Sequence, residues 1–183
     1  MKKFFVAAIV ALMAVCVNAQ NIYVGGSIGA WRDGAEKQTN INILPEIGYN
    51  VDETISVGTT IGWDWSHQKG YDLNLFKLAP YLRYNVVKAG AVKLFVDGGV
   101  DLGFGSAKED GESSSTAVTY GIGFKPGVSY ALSDNCSLVA HFGFLGYMDG
   151  NNAAKDAASV VGYKYGWGFD FSNSLSFGFY YTF

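Results

Sequence analysis

SLSFGFYYTF, residues 174–183, alternates between two unlike faces residue by residue. Leu175, Phe177, Phe179, Tyr181 and Phe183 fall on one parity; Ser174, Ser176, Gly178, Tyr180 and Thr182 fall on the other. A period of two marks a β-strand whose sides meet different surroundings. The first face is too apolar for water, and the second is too small and polar for a protein core. A strand with lipid outside and a narrow polar lumen inside satisfies both.

Working outward, the same alternation recurs along the chain. Val92–Gly105 is the cleanest case, with Val92, Leu94, Val96, Gly98, Val100, Leu102 and Phe104 opposite Lys93, Phe95, Asp97, Gly99, Asp101 and Gly103. Further strands are expected over 21–31, 39–50, 55–65, 73–84, 117–131 and 137–148. The first of these has no settled facing, because large residues occupy both parities. In the seventh, Val139 and Leu145 sit on the polar parity beside His141.

The connections alternate as well. Tight turns near 51–53, 86–91 and 132–136 alternate with longer polar loops near 32–38, 66–72, 106–116 and 149–160. Short periplasmic turns and longer outer loops form the outer-membrane pattern. Tyr49, Tyr84, Tyr130 and Tyr181 lie towards the turns, and Trp63, Trp65 and Trp167 towards the loops, as interfacial aromatics do. The prolines Pro45, Pro80 and Pro126 share a Pro-x-x-x-Tyr spacing, so the repeat unit is a hairpin. Proline removes a ladder hydrogen bond, so a bulge or bend is expected at each.

Residues 161–183 keep one parity through Ser172-Asn173-Ser174. As one strand they would span roughly 75 Å at about 3.3 Å per residue, which exceeds a membrane. A two-residue hairpin at Asn173 would flip the parity, which does not happen. The expectation is therefore one long, bulged eighth strand: an all-β, eight-stranded antiparallel up-and-down transmembrane barrel over residues 20–183.

Residues 1–19 read as a cleaved secretory signal peptide, with a Lys2-Lys3 start, an apolar run from Phe4 to Val17, and small residues up to Ala19. The apolar run is too short to span a membrane as a helix, and Val15 is too bulky for Cys16 to read as a lipoprotein cysteine. Loss of the leader leaves 11 basic against 16 acidic residues, a net charge of −5. A weakly acidic chain with no basic cluster does not suit nucleic-acid binding. Cys136 would then be the sole cysteine, without a disulfide partner or ligand spacing. High glycine and aromatic content with no sustained 3.6-residue pattern favours a membrane barrel over a soluble sandwich.

Tyr23-Val-Gly-Gly-Ser27, Pro45-Glu-Ile-Gly-Tyr49, the Ser172–Gly178 run and a terminal Phe183 together resemble the small outer-membrane β-barrel proteins often labelled porin-like, of the OmpA and OmpX type. The resemblance covers essentially the whole mature chain. It implies a bacterial outer-membrane location in a Gram-negative cell envelope, and contact with outer-membrane lipid. It also implies recognition by the barrel assembly machinery through Phe177, Phe179, Tyr181 and Phe183. The periplasmic cell-wall-binding domain that OmpA-type relatives often append is not expected.

Inward charges form the one candidate constellation: Glu46, Asp64, Lys77, Asp97, Asp101, Lys125, Lys164 and Asp170, with His141. An eight-stranded barrel is just wide enough for side chains to fill it, so paired charges are expected to close the lumen. Asp97 with Lys125 is the expected pair. The alternatives are a narrow ion or small-solute channel and, further off, a lipid-modifying enzyme. His67 and His141 have no adjacent serine or acid in a recognisable catalytic pattern, and the Gly-rich stretches do not lead into helices. No catalytic, cofactor or metal site is expected; Asp149, Asn151, Asn152 and Asp156 lack calcium-loop spacing. The loops 106–116 and 149–159 read as solvated, outermost and the place for an extracellular ligand. The expectation is a monomeric, non-catalytic barrel with a structural or surface-interaction role.

Overall fold

A computed structural model describes residues 21–34, 37–68, 70–109, 115–161, 165–171 and 176–183; the leader lies outside them. The strands are β1 (Ile22–Asp33), β2 (Gln38–Asn50), β3 (Ile55–Gln68), β4 (Tyr71–Ala89), β5 (Val92–Glu109), β6 (Ser115–Ala131), β7 (Cys136–His141), β8 (Phe144–Gly150), β9 (Gly166–Asp170) and β10 (Ser176–Thr182). One helix, α1 (Asn152–Val161), lies between β8 and β9. Neighbouring strands pair antiparallel from β1 to β6, and β10 pairs with β1. β7 and β8 both pair with β6, while β10 pairs with β7 and β9 with β8. Each of these two couples is thus one interrupted stave, and the barrel closes with eight.

The expected count therefore holds, with β9 and β10 running in one direction along the eighth stave. The junction at Ser172-Asn173-Ser174 lies outside the described residues. The stave is shorter than expected, because Val161 ends α1 and the strand starts at Gly166. Both described termini lie at the end that carries the tight turns, where the Phe183 N–H donates to the Ile22 carbonyl (3.0 Å). At that end Asp52 Oδ1 accepts from the N–H groups of Thr54 and Ile55 (2.6 and 2.7 Å). Gly90 supplies the positive φ of 60° in the two-residue turn between β4 and β5.

Closure settles the faces that periodicity left open. Tyr23 is buried in the lumen while Ile28 is 79% exposed, so the odd residues of 22–30 point inward. In the seventh stave His141 pairs with Gly127, but Leu145 pairs with Phe124. Four steps on one strand thus match three on its neighbour: an extra residue sits at Phe142-Gly143, with Gly143 at φ 93°. A one-residue slip reverses every later side chain, so Val139 points inward and Leu145 outward.

This bulge lies opposite Pro126, whose carbonyl accepts from the Phe142 N–H (3.0 Å). Pro45 and Pro80 behave differently. The β2–β3 ladder skips Leu44 and Pro45, and the β4–β5 ladder skips Ala79 and Pro80, yet register is unchanged across both gaps. The missing N–H costs the ladder a bond without inserting a residue, so of the bulge or bend expected at each proline, a bulge is found only opposite Pro126 among the three. A further register shift lies between Asn85 and Val87.

Residues 149–159 are not the solvated loop expected. Asn151 Oδ1 accepts from the Ala154 N–H (3.0 Å), capping α1, and the Lys155 N–H donates to the Asn151 carbonyl (3.0 Å). Alanines and a lysine then continue a ten-residue helix. Its apolar positions are mostly alanines, Ala153, Ala154, Ala157 and Ala158, small side chains that make the helical spacing a faint signal. The other loop is strand for most of its length, β5 reaching Glu109 and β6 starting at Ser115.

Candidate functional site: the barrel lumen

Arg83 is the centre of the lumen near the turn end. It lies directly across from Asp97 in the β4–β5 ladder, and its Nε and Nη2 donate to Asp97 Oδ1 and Oδ2 (2.7 and 2.8 Å). The two side chains are 7% and 6% exposed. A planar guanidinium matches a carboxylate with two parallel bonds, the strongest arrangement for a buried pair. Nη2 also reaches Glu46 Oε1 (3.4 Å) and the Tyr180 hydroxyl (3.5 Å). Glu46 accepts from the Tyr81 hydroxyl, which is bonded in turn to Tyr23. His141 Nε2 lies 2.8 Å from Asp97 Oδ2; a carboxylate only accepts, so Nε2 carries the proton.

Aromatic rings surround the cation. The Arg83 guanidinium carbon is 4.0 Å from the Phe95 centroid, 5.2 Å from Tyr81, 5.4 Å from Tyr180 and 5.8 Å from Tyr23. Each ring lies opposite a glycine on the next strand: Tyr23 over Gly48, Tyr81 over Gly58, Phe95 over Gly127 and Tyr180 over Gly25. A Cβ at any of these glycines would collide with the ring above it. The lumen is narrow enough that a large side chain requires an empty position beside it. β1, β2, β4, β5, β7 and β10 thus meet at one cation.

Above this floor the expected pair is replaced. Asp97 and Lys125 are register partners, but Lys125 Nζ bonds Asp101 Oδ1 (2.8 Å) and not Asp97. Asp97 has Arg83 on its other side, which offers two donors; the single, more hydrated ammonium of Lys125 turns to Asp101, where the pair is 40% and 31% exposed. Lys77 pairs with Asp64. A void of about 220 Å³ lies between the floor and these pairs, lined by Glu46, Asp97 and His141 below and Lys77, Asp101 and Lys125 above. A second, of about 200 Å³, extends upward past Thr119 and Met148.

Of the expected network, Glu46, Asp97 and His141 meet at the floor, while Asp64, Lys77, Asp101 and Lys125 form two pairs above it. Asp170 ends β9 opposite Phe144. Lys164 lies outside the described residues. The network's centre, Arg83, and its partners Tyr23, Tyr81 and Tyr180 were absent from the expected set. Inward parity was legible for Arg83, Tyr81 and Tyr180; what parity lacks is height along the barrel. His67 is far from this cluster, paired with Asp72 at the loop end (2.9 Å) and stacked on Trp65. Of the residues considered for a cation, Asp149 bonds Lys155 (2.7 Å) and Tyr147 (2.7 Å), and Asn151 caps α1.

The outer wall is apolar. Trp167 is 82% exposed, Phe169 73% and Phe177 68%, continuing a belt that includes Phe76, Leu82, Ile122 and Phe124. No protein-family model and no curated protein matches the sequence. Solved structures do match. Neisserial surface protein A superposes with a TM-score of 0.60 at 16% identity, covering 88% of this chain and 96% of that one. A major outer membrane protein from Thermus thermophilus gives 0.51 at 16% identity, covering 89% and 98%. The fold is that of the outer-membrane β-barrels. In such a barrel the exposed belt is the lipid face, and Arg83 sits in the lumen behind it.

Proposed function

We propose that the chain is an integral bacterial outer-membrane barrel protein with a side-chain-filled lumen and a structural or surface-interaction role, not a catalytic one. The observation that carries the reading is the buried Arg83–Asp97 pair, ringed by four aromatic residues drawn from four strands. An unpaired charge in such a place is expensive, so the network holds together as a unit and blocks passage. The tight-turn end then faces the periplasm, and the loop end, with α1, faces outward to any extracellular ligand. The protein contacts lipid as a monomer. Phe177, Phe179 and Tyr181, on the outer face of β10, with Phe183 beside Tyr181, present the aromatic pattern for the assembly machinery.

Planar-bilayer recording of the purified protein tests the closed lumen. The expected result is no unit conductance; reproducible open steps would instead establish the narrow channel. Mass spectra of lipid A from cells with and without the protein are expected to be identical, and a modified species would make it an enzyme.

A further inference from the structure

The lumen is closed twice, by two unlike devices. The floor is the Arg83 cluster, and opening it means separating buried charges. The roof is α1, which lies against β3, β4, β5, β6 and β8 and so crosses the mouth. Ala154 is 1% exposed and packs on Leu73, Leu75 and Ala117. Leu75 and Ala117 are one inward step above Lys77 and Thr119, which line the voids beneath.

We propose that α1 is a displaceable lid, and that the chamber under it admits small hydrophilic solutes from the loop end. The proposal rests on the closed floor described above. Among the described side chains of α1, those of residues 152–156, Ala154 alone is fully buried. Its fastenings among the described side chains gather at its first turn. Asn151 Oδ1 accepts from the N–H groups of Val118 (3.1 Å) and Ala154 (3.0 Å), and Asn151 Nδ2 donates to the Thr116 carbonyl (2.8 Å). Tyr165 donates to the Ala154 carbonyl (2.7 Å), and Lys155 pairs with Asp149 (2.7 Å). Ten residues are too few to hold a helix in water, so α1 keeps its form only while seated. Lifting it unravels a short segment hinged at Asn151.

What the lid covers suits polar guests. Lys77, Asp101, Lys125 and Phe144 line both voids, which therefore adjoin. Ser27, Thr60 and Ser176 add hydroxyls to the lower wall. Both signs of charge are present, so the chamber admits small solutes of either sign, with its depth limited by the floor.

A cysteine at Ser27→Cys in a Cys136→Ser background, probed with a small charged methanethiosulfonate on the folded protein in detergent micelles, tests the lid. Slow labelling is expected with α1 intact. Asn151→Ala is expected to speed it about fivefold to tenfold, the population shift that loss of one helix cap produces. Replacing residues 151–161 by a short Gly-Ser loop is expected to speed it further, with heat-modifiable electrophoretic mobility verifying that each variant is folded. Equal rates in the parent and both variants would overturn the lid. That outcome is separate from bilayer conductance, which reports the floor.

Discussion

Asp97→Ala removes the partner of a cation that has nowhere to go. Arg83 is 7% exposed on its side chain, held by two bonds of 2.7 and 2.8 Å. Breaking a buried pair on one side costs about 3 to 5 kcal/mol, because the remaining charge is left uncompensated. Here Glu46 remains at 3.4 Å and four ring faces stay in place, so the lower end, about 3 kcal/mol, is expected. Lys125→Ala is the control. Its pair with Asp101 is 40% and 31% exposed, and a solvent-screened pair contributes less than about 1 kcal/mol. Arg83→Met with Asp97→Leu removes both charges and is expected to recover stability to within about 1 kcal/mol of the parent. Urea unfolding in lipid vesicles, followed by tryptophan fluorescence, gives all four values. Equal losses for Lys125→Ala and Asp97→Ala, or an unchanged Asp97→Ala midpoint, would refute Arg83 as the partner.

Gly48→Ala drives a Cβ into the Tyr23 ring and should cost about 1 to 3 kcal/mol by overpacking. Gly168→Ala, with nothing within 4 Å of the new atom, should stay within about 0.5 kcal/mol in the same unfolding assay. Gly143→Ala places a side chain at φ 93° against Phe171, and a loss of about 1 to 3 kcal/mol is expected from the strained bulge. Phe177→Arg puts a charge on the lipid face of β10; a loss of about 2 to 4 kcal/mol in vesicles, absent for the lumen-facing Ser176→Thr, is the expected sign of a midplane position.

Much of the barrel was legible because a strand has a period of two and a lipid-facing wall makes both halves of that period conspicuous. Val92–Gly105 and Ser176–Thr182 present the faces that their alternation dictates. Alternation fails where a single inserted residue resets it. Leu145 looks inconsistent until the extra residue at Phe142-Gly143 is seen, and that insertion is visible only against the β6 partner. The helix was missed for a different reason: ten residues with an N-cap at Asn151 carry their periodic face mostly as alanines, which barely register as apolar.

The sequence by itself determined the strand type, the lipid-facing parity and the count of eight staves, because these follow from local spacing and polarity; the longer loop expected near 66–72 is instead a link of two residues between β3 and β4. Only the tertiary structure decided the partners inside the lumen. Asp97 has two register neighbours carrying positive charge, Arg83 on β4 and Lys125 on β6, and parity treats them alike. The choice between them depends on which can lay two parallel donors on the carboxylate within a ring of aromatics, with glycines making room. Strands distant in sequence build that ring, and barrel closure through β1 and β10 brings Tyr23 and Tyr180 into it.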